Sequence, residues 1–100
     1  MFPFDKIEGF DWDERNSRKS ASKHGVSQSE AEQAFFGDPL LVTVDARHSD
    51  AEPRFHALGK TDAGRLLHIT FTIRHGGVKI RVISARDMHR KERARYEQEN

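Results

Sequence analysis

One hundred residues carry 17 Lys and Arg against 16 Asp and Glu, a formal charge of +1, with 35% hydrophobic residues and a mean hydropathy of -0.82. That length supports one small domain over residues 1–100 and excludes a large multi-domain enzyme, because so short a chain buries only about 60 to 65% of its unfolded surface around a single core. No uncharged stretch approaches the roughly 20 apolar residues of a membrane span, cysteine is absent, which excludes disulfides and thiolate metal sites, and the start Met1-Phe2-Pro3-Phe4-Asp5-Lys6 lacks the basic start and apolar middle of a secretory signal, so a cytoplasmic location is expected.

The first predicted element is a helix over Glu14 to His24, with Asp13 as its N-cap and Gly25 as its stop. Arg15, Lys19 and Lys23 recur every fourth position, so they form a basic stripe, which leaves Phe10 and Trp12 as the apolar anchors. Ser27 followed by Glu30 is a capping box, and Val26 and Ala31 stand where a hydrophobic staple would. Ala31, Ala34 and Phe35 keep helical spacing until Gly37-Asp38-Pro39 ends this second helix.

After Pro39 the period becomes alternating, which predicts strands over Leu40 to Asp45 and Arg54 to Lys60. Leu67, Ile69, Phe71 and Ile73 then alternate with His68, Thr70, Thr72 and Arg74, the pattern of a half-buried strand. The turn His75-Gly76-Gly77 leads into a strand over Val78 to Ser84, so the last three strands form an antiparallel meander. Asp87 caps a final helix across Met88 to Gln98, on which Glu92 and Tyr96 share a face. The order is two helices, four strands and a closing helix, an α+β pattern.

Charge is unevenly spread. Met1 to Glu14 holds five acids and one base, whereas Lys79 to Arg95 holds seven basic residues against Asp87 and Glu92, a local excess of +5. Such a cluster suits phosphate-bearing or acidic-protein partners, or is simply a solvated helix face. On a sheet packed against helices on one side, the residues alternating with the apolar set point to the other side. That face would carry His68, Thr70, Thr72 and Arg74, with Arg54, Lys79 and Arg81 from neighbouring strands. Converging guanidinium groups match phosphate oxygens in a way that solubilising lysines need not. The six histidines show no H-x-H or H-E-x-x-H spacing, so no metal site and no cofactor is expected. Phosphate-binding glycine loops and the G-x-S-x-G elbow are absent as well.

Phe10-Asp11-Trp12-Asp13, Asn16, Lys23-His24-Gly25-Val26 and Phe36-Gly37-Asp38-Pro39, followed by His48, Glu52-Pro53-Arg54-Phe55, Gly59, Ile80-Arg81-Val82-Ile83-Ser84-Ala85-Arg86, Arg90, Glu92, Arg93 and Tyr96, occur in an order and spacing that resembles the BrnT family of toxins of type II toxin-antitoxin pairs. The resemblance covers residues 10–97. It implies a RelE-like fold of two N-terminal helices, a four-stranded antiparallel sheet and a C-terminal helix. It also implies a ribonuclease, masked by a BrnA-like ribbon-helix-helix antitoxin through which the pair reaches operator DNA.

The reading that follows is a metal-independent endoribonuclease in which a ribose 2'-hydroxyl attacks the adjacent phosphate. Such a reaction needs a base, cations for the phosphorane charge and an acid for the leaving oxygen. Glu52 or His24 is the candidate base, Arg54, Arg81 and Arg86 the candidate phosphate ligands, and His48 or His24 the candidate acid. Lys23, Arg74, Lys79 and Ser84 join His48 as RNA-binding candidates, and Arg90 and Arg93 are candidate antitoxin contacts. Purely structural roles are open to several: Glu52 pairing with Arg54, Ser84 capping the last helix, Arg86 binding a helix carboxylate. The alternative function is a non-catalytic member that acts with its antitoxin as a DNA-binding autorepressor.

Overall fold

The structure is a computed structural model that describes residues 6–48, 52–74 and 76–99, without the side chains of Asn16, Ser17, Lys19, Ser20, Ser22 and His48. Along the chain it has β1 (Gly9–Phe10), α1 (Glu14–His24), α2 (Gln28–Phe36), β2 (Leu41–Val44), a 3-10 turn (Ala46–His48), β3 (Arg54–Lys60), β4 (Leu66–Arg74), β5 (Lys79–Asp87) and α3 (Arg90–Gln98). No described helix is long and apolar enough to cross a membrane.

The helical hairpin forms as the residues dictate. Gly25 adopts φ +63°, a conformation costly for any side chain, and its N–H donates to the Ala21 carbonyl at 3.1 Å to close α1. The Ser27 hydroxyl accepts from the Glu30 N–H at 3.1 Å while the Glu30 carboxylate accepts from the Ser27 N–H at 3.0 Å, so the capping box is complete. Val26 and Ala31 are fully buried in the main core, with Ala34 and Phe35 beside them. Phe35 meets Phe10 and Phe71 edge-on, with ring centroids 5.5 and 5.0 Å apart, and these rings join α2 to the sheet. α2 lies so close to β3 that a Cβ on Gly59 would stand 2.4 Å from the Ala34 carbonyl oxygen.

The expected four-stranded antiparallel sheet is instead five-stranded and mixed, in the order β1-β5-β4-β3-β2, with β1 parallel to β5 and every other pair antiparallel. A two-residue strand has no periodicity to read. It is held by the Glu8 N–H on the Val78 carbonyl (2.7 Å), the Asp11 N–H on the Ile80 carbonyl (2.8 Å) and the packing of Phe10 on the core. The α+β class stands, but the two helices follow a strand.

β5 also runs three residues past Ser84, and its register slips. Thr70 pairs with Ser84 while Phe71 pairs with Val82, so Ile83 is an extra residue, a β-bulge. Before it Ile80 and Val82 face the main core; after it Ala85 does. The slip turns Ser84 and Arg86 onto the same face as Arg81.

α3 begins later than expected, with His89 as N-cap, because the Glu92 carboxylate reaches back to the His89 N–H at 2.8 Å. Asp87 remains in β5, where Arg65 grips both its oxygens at 2.7 and 3.1 Å. Met88, Tyr96 and Leu58 form a second, smaller core on the far side of the sheet, and the Tyr96 hydroxyl donates to the Pro39 carbonyl at 2.6 Å. The face opposite α2 is therefore partly roofed by α3 at His68, and Thr70 and Thr72 are buried on it as well, where a solvated face was expected.

Candidate functional site: the roofed face of the sheet

Strand register sorts the polar face into rows, because directly paired residues point the same way. Arg86, His68, Leu58 and Leu41 form the row beneath α3. Ser84, Thr70, His56 and Thr43 form the next, then Arg81, Thr72 and Arg54, and finally Lys79 and Arg74, with Glu52 joined to Arg74 at 3.1 Å. The register thus brings together Glu52, Arg54, Arg74, Lys79, Arg81, Ser84 and Arg86 from the expected set.

It also engages several of them with other partners. Arg81 pairs with Asp11 at 3.5 Å and with Asp13, whose hydrogen bond raises the guanidinium's pKa, so its charge secures the segment entering α1. Arg86 is held bidentately by Glu92 of α3 at 2.9 and 3.0 Å, the helix-carboxylate alternative. Glu52 pairs with Arg74. Ser84 lies within β5, and the cap of α3 is His89 instead.

Lys23 and His24 are not brought to this face. They end α1, which runs alongside β5, and the His24 carbonyl accepts from Arg65 at 3.3 Å, while Arg65 also binds the Gly25 carbonyl at 2.9 Å and Glu30 at 3.1 Å. The hydrogen bond to Asp87 raises the Arg65 pKa and lowers that of Asp87, which marks a structural clasp. The His48 side chain lies outside the described residues. Arg90 and Arg93 are exposed on α3.

One hydrogen-bonded group on this face was not legible in the sequence. His56 bridges two elements, with Nε2 3.0 Å from Asp45 Oδ2 and Nδ1 3.1 Å from Thr70 Oγ1. Its ring lies 4.9 Å from that of His68, which in turn sits 3.8 Å from Glu92. Burial, followed by the nearby Arg86 guanidinium, pulls the His68 pKa down to about 4, so this imidazole is neutral at neutral pH. Burial alone would raise the Glu92 carboxyl; hydrogen bonds from Arg86 and the His89 N–H nevertheless hold it ionised, with a pKa of about 2. Alternation in β3 places His56 beside Arg54 and Leu58, but its partners emerge only from the pairing of β3 with β2 and β4.

These groups open onto a cleft of about 200 Å³ between the sheet and α3, floored by Leu41 and Leu58 and walled by Thr43, the two histidines, Glu92 and Arg95. Among the described residues no three His, Asp or Glu side chains cluster closely enough to hold a metal ion.

The fold is shared with the crystal structure of the Brucella abortus ribonuclease toxin, BrnT, which matches with a TM-score of 0.58 at 21% identity, over 82% of this chain and 97% of that one. The family model described as "Ribonuclease toxin, BrnT, of type II toxin-antitoxin system" matches residues 12–92, and the chain belongs to that family. No curated protein matches the sequence.

Proposed function

We propose that this BrnT-family toxin is a metal-independent endoribonuclease whose reacting groups stand on the polar face of the sheet, from its open part to the edge of the roof formed by α3. The observation that carries the reading is the register that sets Glu52, Arg54, His56 and Arg74 on one side of the sheet. In this scheme the Glu52 carboxylate takes the ribose 2'-hydroxyl proton as the 2'-oxygen bonds to phosphorus. Arg54, Arg74 and Lys79 take up the charge on the non-bridging oxygens. His56, oriented by Asp45, gives a proton to the departing 5'-oxygen. The products are a 2',3'-cyclic phosphate and a 5'-hydroxyl end. Arg81 and Arg86, with their carboxylate partners, are positioning residues: one ties down the entrance to α1 and the other tethers α3.

Family membership supports an RNA substrate and an antitoxin partner. We take the partner to be a ribbon-helix-helix protein that covers the basic face and carries the pair to operator DNA. Arg90 and Arg93 are its docking charges.

The test is incubation of the purified chain with RNA in EDTA, followed by end mapping. Cyclic-phosphate ends in EDTA, lost when the cleaved linkage carries a 2'-deoxyribose, are expected. Activity abolished by EDTA and restored by magnesium refutes metal independence. Absence of cleavage under all conditions, with antitoxin and operator binding intact, points to the autorepressor function.

A further inference from the structure

The cleft shares His56 with the reacting groups but is otherwise chemically unlike them. Leu41 and Leu58 make its floor apolar, and Glu92 is already satisfied by Arg86 and the His89 N–H. The charge of the Glu92 carboxylate is taken up by Arg86 and the buried His68 is neutral, so among the described residues Arg95 is the one lining cation left for a phosphate. A flat, uncharged ring fits better: apolar contact from below, an imidazole and a guanidinium to stack on, and the Thr43 hydroxyl at the rim. Unpaired RNA bases are held in this way, splayed from the strand onto His, aromatic or Arg planes. The cleft is also one row of side chains from Arg54, about 7 Å along the strand, the reach from a base across its ribose to the adjoining phosphate.

We propose that the cleft between α3 and the sheet, floored by Leu41 and Leu58 and flanked by His56, His68 and Arg95, is a subsite for one unpaired nucleobase of the substrate, next to the scissile phosphate. The assignment rests on the ribonuclease reading for its biological sense, but base binding is measurable without cleavage. It makes the protein selective for single-stranded RNA, since a paired base is not available to enter, and it makes Thr43 and Arg95 determinants of base preference.

The experiment titrates the full chain with each of the four 2'-deoxynucleoside 5'-monophosphates and, separately, with deoxyribose 5-phosphate, none of which can be cleaved. Binding is read from the imidazole NMR signals of His56 and His68. At least one nucleotide should shift both rings and bind about tenfold more tightly than the sugar phosphate, the increment expected of a stacked base. Thr43→Trp, an exposed position at the rim, should remove that preference by filling the cleft mouth, with the dispersion of the amide spectrum as the check on folding. Arg95→Ala, on the exposed side of α3, should weaken it several-fold and stands as the second variant. Equal binding of sugar phosphate and all four nucleotides, or a preference untouched in the folded variants, overturns the assignment. A base preference without RNA cleavage refutes only the ribonuclease mechanism; cleavage without base preference refutes only the subsite.

Discussion

His68 links the pH dependence of stability to the roof over the sheet. Its pKa falls from 6.5 to about 4 on folding, chiefly because β4 and α3 bury the ring. Between these values the unfolded chain binds a proton that the native chain does not, so stability is greatest above the unfolded value and declines as pH falls from 6.5 toward 4. From pH 7 to pH 5 the loss assignable to this one group is about 2 kcal/mol, which in a domain of this size corresponds to a fall in Tm of roughly 10 °C. Replacing His68 by Gln keeps a polar side chain but removes the titration. Urea unfolding followed through the single Trp12 at half-unit steps between pH 5 and 7 should give a steep profile for the native protein and a flatter one for the variant. That window lies above the range where the lowered carboxyls of Glu30, Asp87 and Glu92 protonate. Parallel profiles for the two proteins would show that the ring is protonated in the folded state and that α3 does not shield it.

Glu92→Gln should cost about 2 kcal/mol, less than a fully buried pair, because it leaves the Arg86 guanidinium half-buried without its counter-charge; chemical denaturation at pH 7 measures it. The same substitution should flatten the native protein's further loss of stability as pH falls from 4.5 toward 2, the range in which a lowered carboxyl gives up its contribution. Gly59→Ala should destabilise by about 1 to 3 kcal/mol, since the added methyl meets backbone rather than a movable side chain; a variant as stable as the parent would mean that α2 can move off the sheet. Arg54→Ala should lower RNA cleavage by about 10²-fold with the fold intact, the usual effect of removing one charge-stabilising donor, as read by single-turnover kinetics with circular dichroism alongside. Reversing Arg90 and Arg93 to Glu should slow antitoxin association most at low salt, with the two proteins converging as screening increases.

Local chemistry was legible without the structure wherever a few neighbouring residues decide it. Ser27 and Glu30 specify the start of α2, Gly25 its separation from α1, and the alternation of Leu67 to Arg74 the strand β4, because caps, turns and strand faces depend on side chains only two to four positions apart. The ordered set of motifs carried the family resemblance that the match over residues 12–92 now supports. Tertiary structure decided what depends on distant partners. β1 exists only because β5 offers it an edge, the bulge at Ile83 alone turns Ser84 and Arg86 toward the site, and α3 converts a solvated face into a roofed one. The Asp45, His56 and Thr70 cluster joins β3 and β4 to the residue that follows β2, so no spacing along the chain announces it. The same geometry ties Arg81 and Arg86 to carboxylates that sequence spacing could not pair with them, since a guanidinium reads identically in sequence whether it meets a phosphate or a neighbouring Asp or Glu.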